Sequence, residues 1–168
     1  MTIADEDYPI LLRHVKNPPP IIYLYGRIQQ QDEKSIAIVG SRNATEKGLQ
    51  IAQGFGKRLA ERGYTIVSGY AKGIDTESHL GALEGNVRTI MVLSTGMMHF
   101  KLRDAGFESF EFLKQNGAVI SEMYPTESCR SCHGSQSTRG RTFEGSSGCR
   151  MWTEKRYHEC CSCRSTDE

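Results

Sequence analysis

The sequence has 168 residues and a formal net charge of +1, the size of one ordinary domain or of one domain with a tail. A near-neutral total excludes a uniformly basic surface, so any nucleic-acid contact is expected from a local patch. No apolar stretch is long enough to span a membrane, and the acidic start, MTIADEDYPILL, lacks the pattern of a signal peptide. We therefore expect a cytoplasmic protein without a membrane contact.

The composition divides the chain into three parts. Residues 1–30 form an N-terminal lead-in segment, and residues 31–125 alternate between strand-like and helix-like runs. Residues 126–168 form a tail that is rich in Cys, Ser and Arg, and it contains all six cysteines. A composition with so few aliphatic residues predicts disorder in the tail.

The first elements can be read directly from the sequence. The stretch PILLRHV predicts one or two helical turns, which the three prolines of residues 18–20 end. IIYLYG predicts an extended segment, and QQQDEK a polar connector. The short apolar run at Ser35–Val39 then predicts a buried parallel strand.

A helix is predicted from Thr45, a good N-cap residue, to about Arg62, with Gly63 ending it. Helical spacing predicts a buried face made of Leu49, Ala52, Phe55 or Gly56, and Leu59.

The alternation of strand and helix continues to the end of this middle part. YTIVSG predicts a second strand, and a loop leads to a helix with Asp75 as the expected N-cap and Gly85 as its end. RTIMVLS, DAGFESFEFLKQNG and AVISE predict a third strand, a third helix and a fourth strand. Elements in this order predict an α/β fold with a parallel sheet and right-handed crossovers.

Three loops are expected at the carboxyl ends of these strands, where α/β sheets bind ligands. Small residues, two cations and helix starts in the first two loops are the chemistry that binds phosphate. The candidate phosphate-binding residues are Gly40, Ser41, Arg42, Ser68, Gly69, Lys72 and Gly73. The alternative is that the glycines only permit tight turns and the cations are simply solvated. The third candidate loop is Ser94–His99.

Motifs for nucleotide cofactors are absent. GSRNATEKG lacks the G-x-G-x-x-G spacing, and the sequence contains no G-x-x-x-x-G-K-[ST] motif. We therefore expect no cofactor and no enzymatic activity. His79 has the chemistry of a general base, but its position beside Leu80 and Leu83 favours a packing role.

Four stretches in the same order and spacing resemble the DprA/Smf family of DNA-processing proteins. They are YPILLRHVKNPPPIIYLYG, IAIVGSRNAT, IVSGYAKGIDTESHLGALEG and NGAVISE, within residues 8–125. The resemblance implies a Rossmann-like parallel sheet with helices on both faces, incomplete here on its C-terminal side. The family's Tyr-Pro pair after the third strand and its Arg-Asn-Arg stretch after ISE are missing.

The resemblance also implies a function and its partners. Family members bind single-stranded DNA, help to load a RecA-type recombinase during natural transformation, and self-associate, so a homodimer is expected. It assigns phosphate binding to Arg42, Ser68 and Gly69, whereas Lys72 and Gly73 are added from their position.

A second hypothesis comes from another class of protein. Enzymes on the same scaffold cleave the N-glycosidic bond of nucleotides, and Glu122 or Asp75 would then be the acid–base group.

The tail permits three interpretations. CRSCH matches a haem-attachment pattern, which needs an export context, and the cysteines with His133 and His158 are potential zinc ligands at unusual spacings. The third is that residues 126–168 are the family's C-terminal half translated out of frame. Codons that can encode KRYHECCSCRST, when read one base onward, encode an Ala-rich stretch that resembles a helix of the family. The four parallel strands would then lack a neighbour on one side, which invites aggregation.

Overall fold

The computed structural model describes residues 1–102, 113 and 115–128, and these form a sheet with three helices. Two 3₁₀ turns, at Gln30–Glu33 and Met97–His99, complete the described elements. The strands are β1 (Tyr23–Gly26), β2 (Ser35–Ala37), β3 (Thr65–Ser68), β4 (Thr89–Leu93) and β5 (Gly117–Ser121), and the helices are α1 (Ile10–Arg13), α2 (Glu46–Ala60) and α3 (Ile74–Glu84).

The sheet has the order β1-β5-β4-β3-β2, and the last four of these are parallel. This confirms the predicted α/β, Rossmann-like sheet. On the β5 side the parallel strands have a neighbour, because β1 pairs with β5 in the antiparallel direction, with Tyr23 opposite Ser121 and Gly26 opposite Ala118. The lead-in segment thus supplies an edge strand. Among the described strands, β2 is the edge at the other end of the sheet.

The two faces of the sheet are covered by different parts of the chain. On one face α2 and α3 pack over Ile66, with Ala60 and Ala82 between the layers. On the other face Tyr8 and Leu12 of the N-terminal segment cover the inward side chains of the central strands, which include Val67, Ile90, Val92, Ala118 and Ile120. Side chains of both faces are buried because parallel strands are covered on both sides.

Helix α2 begins as the sequence predicts. The Thr45 side chain accepts a hydrogen bond from the Gly48 N–H at 3.2 Å, which satisfies one of the donors at the helix start. The helix ends at Ala60, slightly before the predicted Arg62, and Gly63 follows in the left-handed region with a φ of 76°.

Close contact between α2 and α3 decides which residues of α2 are buried. Ala52, Gly56 and Ala60 are buried against α3, whereas Phe55 is 56 % exposed. A Cβ atom on Gly56 would lie 2.4 Å from the Ser78 carbonyl oxygen, so only glycine permits this approach. Of the two residues allowed by helical spacing, the glycine therefore faces the core.

Three further predictions concern the two ends of α3 and the predicted third helix. Asp75 is not the N-cap of α3, because Gly73 occupies that position and Asp75 lies inside the first turn. Gly85 ends α3 as predicted. Most of the predicted third helix lies outside the described residues, and its described end includes the fully buried Leu113. No helix in the described part of the chain is long and apolar enough to cross a membrane.

The helix contact gives a stability prediction. A Cβ atom on Gly81 would lie 2.0 Å from the Gln53 carbonyl oxygen, so Gly81→Ala must push α2 and α3 apart. We expect it to lower the free energy of unfolding by about 1–3 kcal/mol, measured by urea unfolding. Gly54→Ala is the matched control, because no atom lies within 4 Å of its Cβ position. The control should gain roughly 0.5–1 kcal/mol from helix propensity. Equal stability of the two variants would contradict the close packing.

Candidate functional site

Two loops meet at the carboxyl edge of the parallel strands. The β2 loop (residues 38–45) connects β2 to α2, and the β3 loop (residues 69–73) connects β3 to α3. Because β2 and β3 are adjacent and parallel, both loops emerge at the same edge. The structure therefore brings together the two segments that carry the predicted phosphate-binding residues.

A buried carboxylate joins the two loops. Asp75 is 3 % exposed, and its Oδ1 accepts a hydrogen bond from the Gly40 N–H of the β2 loop at 3.1 Å. The same carboxylate accepts backbone hydrogen bonds from Gly69 and Ala71 of the β3 loop. One side chain of α3 thus fixes the backbone of both loops.

Opposing effects act on the acidity of this carboxyl. Burial raises the pKa of Asp75 above its usual value, while the backbone donors and the nearby Arg42 guanidinium lower it, and burial is the larger effect. Arg42 is therefore close enough to Asp75 to influence its charge.

The loops also touch directly through Gly73. This residue has a φ of 93°, and a Cβ atom on it would lie 2.4 Å from the Ser41 carbonyl oxygen. A side chain at this position would force the loops apart. The Ile74 N–H donates to the same Ser41 carbonyl at 3.3 Å, which continues the contact into α3.

The side chains that remain at the surface are cationic and polar. Ser41, Arg42 and Lys72 are exposed, and the Ser41 hydroxyl accepts the Asn43 N–H at 3.1 Å. Among the described residues the salt bridges are Arg88–Asp32 and Lys57–Glu84, so neither loop cation takes part in one of them. Two cations beside a helix start make this edge suitable for an anion.

Ser68 lies beneath this surface. It is fully buried, and its hydroxyl donates to the Ile38 carbonyl oxygen at 2.5 Å. Its side chain therefore ties β3 to the start of the β2 loop. Gly40, Gly69 and Gly73 contribute backbone at half-buried positions.

His79 packs below the β3 loop, as its neighbours in the sequence favour. It is fully buried, and its Nδ1 lies 2.5 Å from Thr89 Oγ1. Since that hydroxyl donates its own hydrogen to the Ile66 carbonyl, we assign the imidazole hydrogen to Nδ1. The His79 ring also contacts the Tyr70 ring, with 6.2 Å between centroids. Burial lowers the pKa of His79 to about 3, so the imidazole is neutral near pH 7.

The two carboxyls considered for acid–base chemistry belong to different parts of the fold, with Asp75 in α3 and Glu122 directly after β5. Asp75 belongs to α3 and holds the loops, as described above. Burial raises the pKa of Glu122. The pKa of Tyr8 is raised to about 12, mainly by burial and secondly by the Glu122 charge.

The segments that follow β4 and β5 meet at the same edge of the sheet and form a second surface, here called the second wall. The Gly96 N–H donates to the Glu127 carbonyl at 2.8 Å, and the Met98 N–H to the Pro125 carbonyl at 3.0 Å. Tyr124 is 63 % exposed and rests edge-on against Tyr23, with 6.1 Å between ring centroids. The sequence analysis did not predict a role for this aromatic side chain. Its position just beyond a predicted strand end was the signal that could have indicated it.

The sequence offers potential metal ligands only in the tail, as one of three interpretations. Within the part of the chain that the structure describes, no group of three or more His, Cys, Asp or Glu side chains could hold a metal ion. The zinc and haem interpretations, and the frameshift interpretation from residue 129 onward, concern residues that lie outside the described part of the chain.

Comparison with known proteins connects this site to a family. The family model described as DNA recombination-mediator protein A matches residues 1–155. Protein Smf from Synechocystis is 36 % identical over 132 residues, covering 76 % of this chain and 33 % of that protein. DNA processing protein DprA from Bacillus subtilis is 31 % identical over 124 residues, covering 73 % of this chain and 41 % of that protein.

Solved structures show the same fold. The DprA structure from Streptococcus pneumoniae matches with a TM-score of 0.65 and 30 % identity, covering 76 % of this chain and 44 % of that one. DprA from Helicobacter pylori, whose structure is reported for its single-stranded DNA binding mode, matches with a TM-score of 0.59 and 28 % identity. That match covers 73 % of this chain and 56 % of that one. The chain thus spans about a third to two fifths of the curated relatives described above.

The neutral, buried His79 gives a pH prediction. Its pKa is about 3 in the folded chain against 6.5 for the free side chain, so between these values the unfolded chain binds a proton that the folded chain does not. The free energy of unfolding should therefore fall as the pH drops from neutral, by up to about 1.4 kcal/mol per pH unit from this group.

Urea unfolding of the wild type and His79→Gln between about pH 7 and 5 measures this slope. The variant should lack this part of the slope, because glutamine does not titrate. In the wild type, the His79 imidazole resonances should not shift over the same range. An equal pH dependence of the free energy of unfolding in the two proteins, together with His79 resonances that shift, would contradict a neutral, buried His79.

Proposed function

The chain belongs to the DNA recombination-mediator protein A family, also known as DprA/Smf, and from this premise we propose that it binds single-stranded DNA at the carboxyl edge of its sheet. The family resemblance predicted from the sequence is confirmed. The family is described as a mediator of recombination, and this description supports a non-enzymatic, DNA-processing role as part of the proposal.

One observation carries the proposal. Asp75 and Gly73 hold the β2 and β3 loops against each other, and Arg42 and Lys72 are exposed on these two adjoining loops. A guanidinium and an ammonium beside the starts of α2 and α3 favour consecutive phosphates of a flexible strand. The single-stranded DNA binding described for the Helicobacter pylori relative supports this assignment.

The roles of the predicted residues follow from where they lie. Arg42, Lys72 and the Ser41 hydroxyl would contact phosphate oxygens directly. Gly40, Gly69 and Gly73 would shape the backbone on which the phosphates rest, and Ser68 would fix β3 beneath them. Such binding carries no base readout, because phosphates are the same in every sequence.

Unpaired bases need a surface of their own. Tyr124 and Met98 are 63 % and 71 % exposed on the second wall of the same edge. Aromatic side chains stack on bases without strong sequence preference, so this wall complements the phosphate contacts.

The remaining predicted partners extend this proposal. DNA held at this edge would be passed to a RecA-type recombinase, the partner that a recombination mediator implies. A homodimer and a cytoplasmic location stay predictions that follow from the same role. Enzymatic cleavage of an N-glycosidic bond is not favoured, because Asp75 is buried and holds the loops, and Glu122 follows β5, which β4 separates from β3.

Arg42→Ala tests the site. Loss of one phosphate contact should weaken binding of a fluorescent oligonucleotide by roughly tenfold at low salt. It should also reduce the slope of log affinity against log salt by about 0.7, the value expected for one contact with a single strand. Fluorescence anisotropy over a salt series measures both quantities.

Arg62→Ala is the matched control for this experiment. Arg62 is an exposed arginine that follows α2, at the amino edge of the sheet, so its removal changes the net charge equally but leaves the loops intact. It should bind DNA almost as the wild type does. Equal losses in the two variants would contradict the site, and a wild-type chain that does not bind single strands would contradict the function.

A further inference from the structure

A cavity lies at the opposite edge of the sheet from the β2 and β3 loops. It has a volume of about 500 Å³, within the range of ligand pockets in proteins. Residues 4–13 of the N-terminal segment form one side, and residues 28–33, between β1 and β2, form the other. Ile90 at the start of β4 contributes to its wall.

The charged side chains of this cavity are mostly acidic. Glu6, Asp7 and Glu33 are exposed at its rim, and none of them takes part in a salt bridge between described residues. The lining cation, Arg13, donates to the Asp5 carbonyl oxygen and lies 5.6 Å from the centre of the Tyr8 ring. A rim with three free carboxylates favours a cation.

A fourth lining acid belongs to the framework of the cavity and not to its rim. Asp32 is 3 % exposed and accepts hydrogen bonds from the Arg88 guanidinium, the Thr65 hydroxyl and the Gln29 N–H. Its charge is therefore balanced inside the protein. It holds Gln30–Glu33 in place and so fixes the position of Glu33.

Apolar side chains line the same cavity. Ile10 and Leu11 of α1 are 43 % and 38 % exposed, and Tyr8 and Ile90 are buried behind them. Exposed apolar side chains surrounded by polar residues are typical of binding surfaces. An occupant is therefore expected to combine an apolar group with positive charge.

We propose that this acidic pocket binds a basic segment of a partner protein, with an apolar side chain inserted beside α1 and arginine or lysine side chains at Glu6, Asp7 and Glu33. The acidic rim repels the phosphates of a nucleic acid, so the occupant is a protein and not DNA. Because the pocket and the β2 and β3 loops lie at opposite edges, DNA and the partner can bind at the same time. This proposal does not rest on the proposed DNA binding.

The probe for this proposal is a fluorescein-labelled hexapeptide of alternating arginine and leucine, acetylated and amidated at its ends. It should bind the full chain saturably and more weakly as salt is added. The triple variant Glu6→Gln, Asp7→Asn, Glu33→Gln should weaken binding by roughly tenfold at low salt. Ile10→Ser should weaken it by about threefold, because the apolar contact is lost. All four positions are exposed, so the fold should not depend on them.

A second triple variant is the matched control. The variant Glu46→Gln, Glu61→Gln, Glu84→Gln also removes three negative charges, but from exposed positions outside the pocket. It should bind the peptide almost normally. Arg42→Ala should also bind it normally, which separates this pocket from the DNA site. Absence of saturable binding, or equal weakening in the two triple variants, would overturn the proposal. Binding of a peptide with glutamate in place of arginine would overturn it as well.

Discussion

The carboxylate of Asp75 is the constraint on which the candidate site depends. It is buried, and burial of a charge is unfavourable unless the charge is well hydrogen-bonded. The backbone N–H groups of Gly40, Gly69 and Ala71 provide those bonds, and they come from two different loops. The need to satisfy one buried carboxylate therefore holds both loops in a single arrangement. Arg42 and Lys72 are presented together because their loops are fixed in this way.

A second buried acid organises the opposite edge. Asp32 pairs with Arg88 at 3.2 Å, and the Arg88 guanidinium also reaches the carbonyl oxygens of Arg27 and Gly117. This pair joins the N-terminal segment to the central strands, much as Asp75 joins the loops. The two acids leave the sheet with two chemically different edges: a cationic one suited to phosphates, and an acidic pocket suited to a basic protein segment. We infer that a mediator between DNA and protein uses both.

Much of this architecture follows from local sequence signals. The strands and the cap at Thr45 are local patterns, and so is the placement of the two loops at one edge. The role of Asp75 was not predictable, because an aspartate before a helix is also a typical N-cap, and the donor in the other loop, Gly40, lies 35 positions away. Helical spacing allowed either Phe55 or Gly56 to be the buried residue of α2. The close approach of α2 to α3 determines that it is Gly56. Pairing of β1 with β5 and the acidic pocket also depend on contacts between distant parts of the chain.

Hydrogen exchange of the loop amides tests the central role of Asp75 most directly. In the wild type the N–H groups of Gly40, Gly69 and Ala71 should be protected, because they donate to the buried carboxylate. In Asp75→Asn they should exchange roughly tenfold faster or more, since an amide cannot accept all three bonds. Glu84→Gln, the same change at an exposed position of α3, should leave them unchanged. Unaltered protection of the three amides in Asp75→Asn would contradict the account.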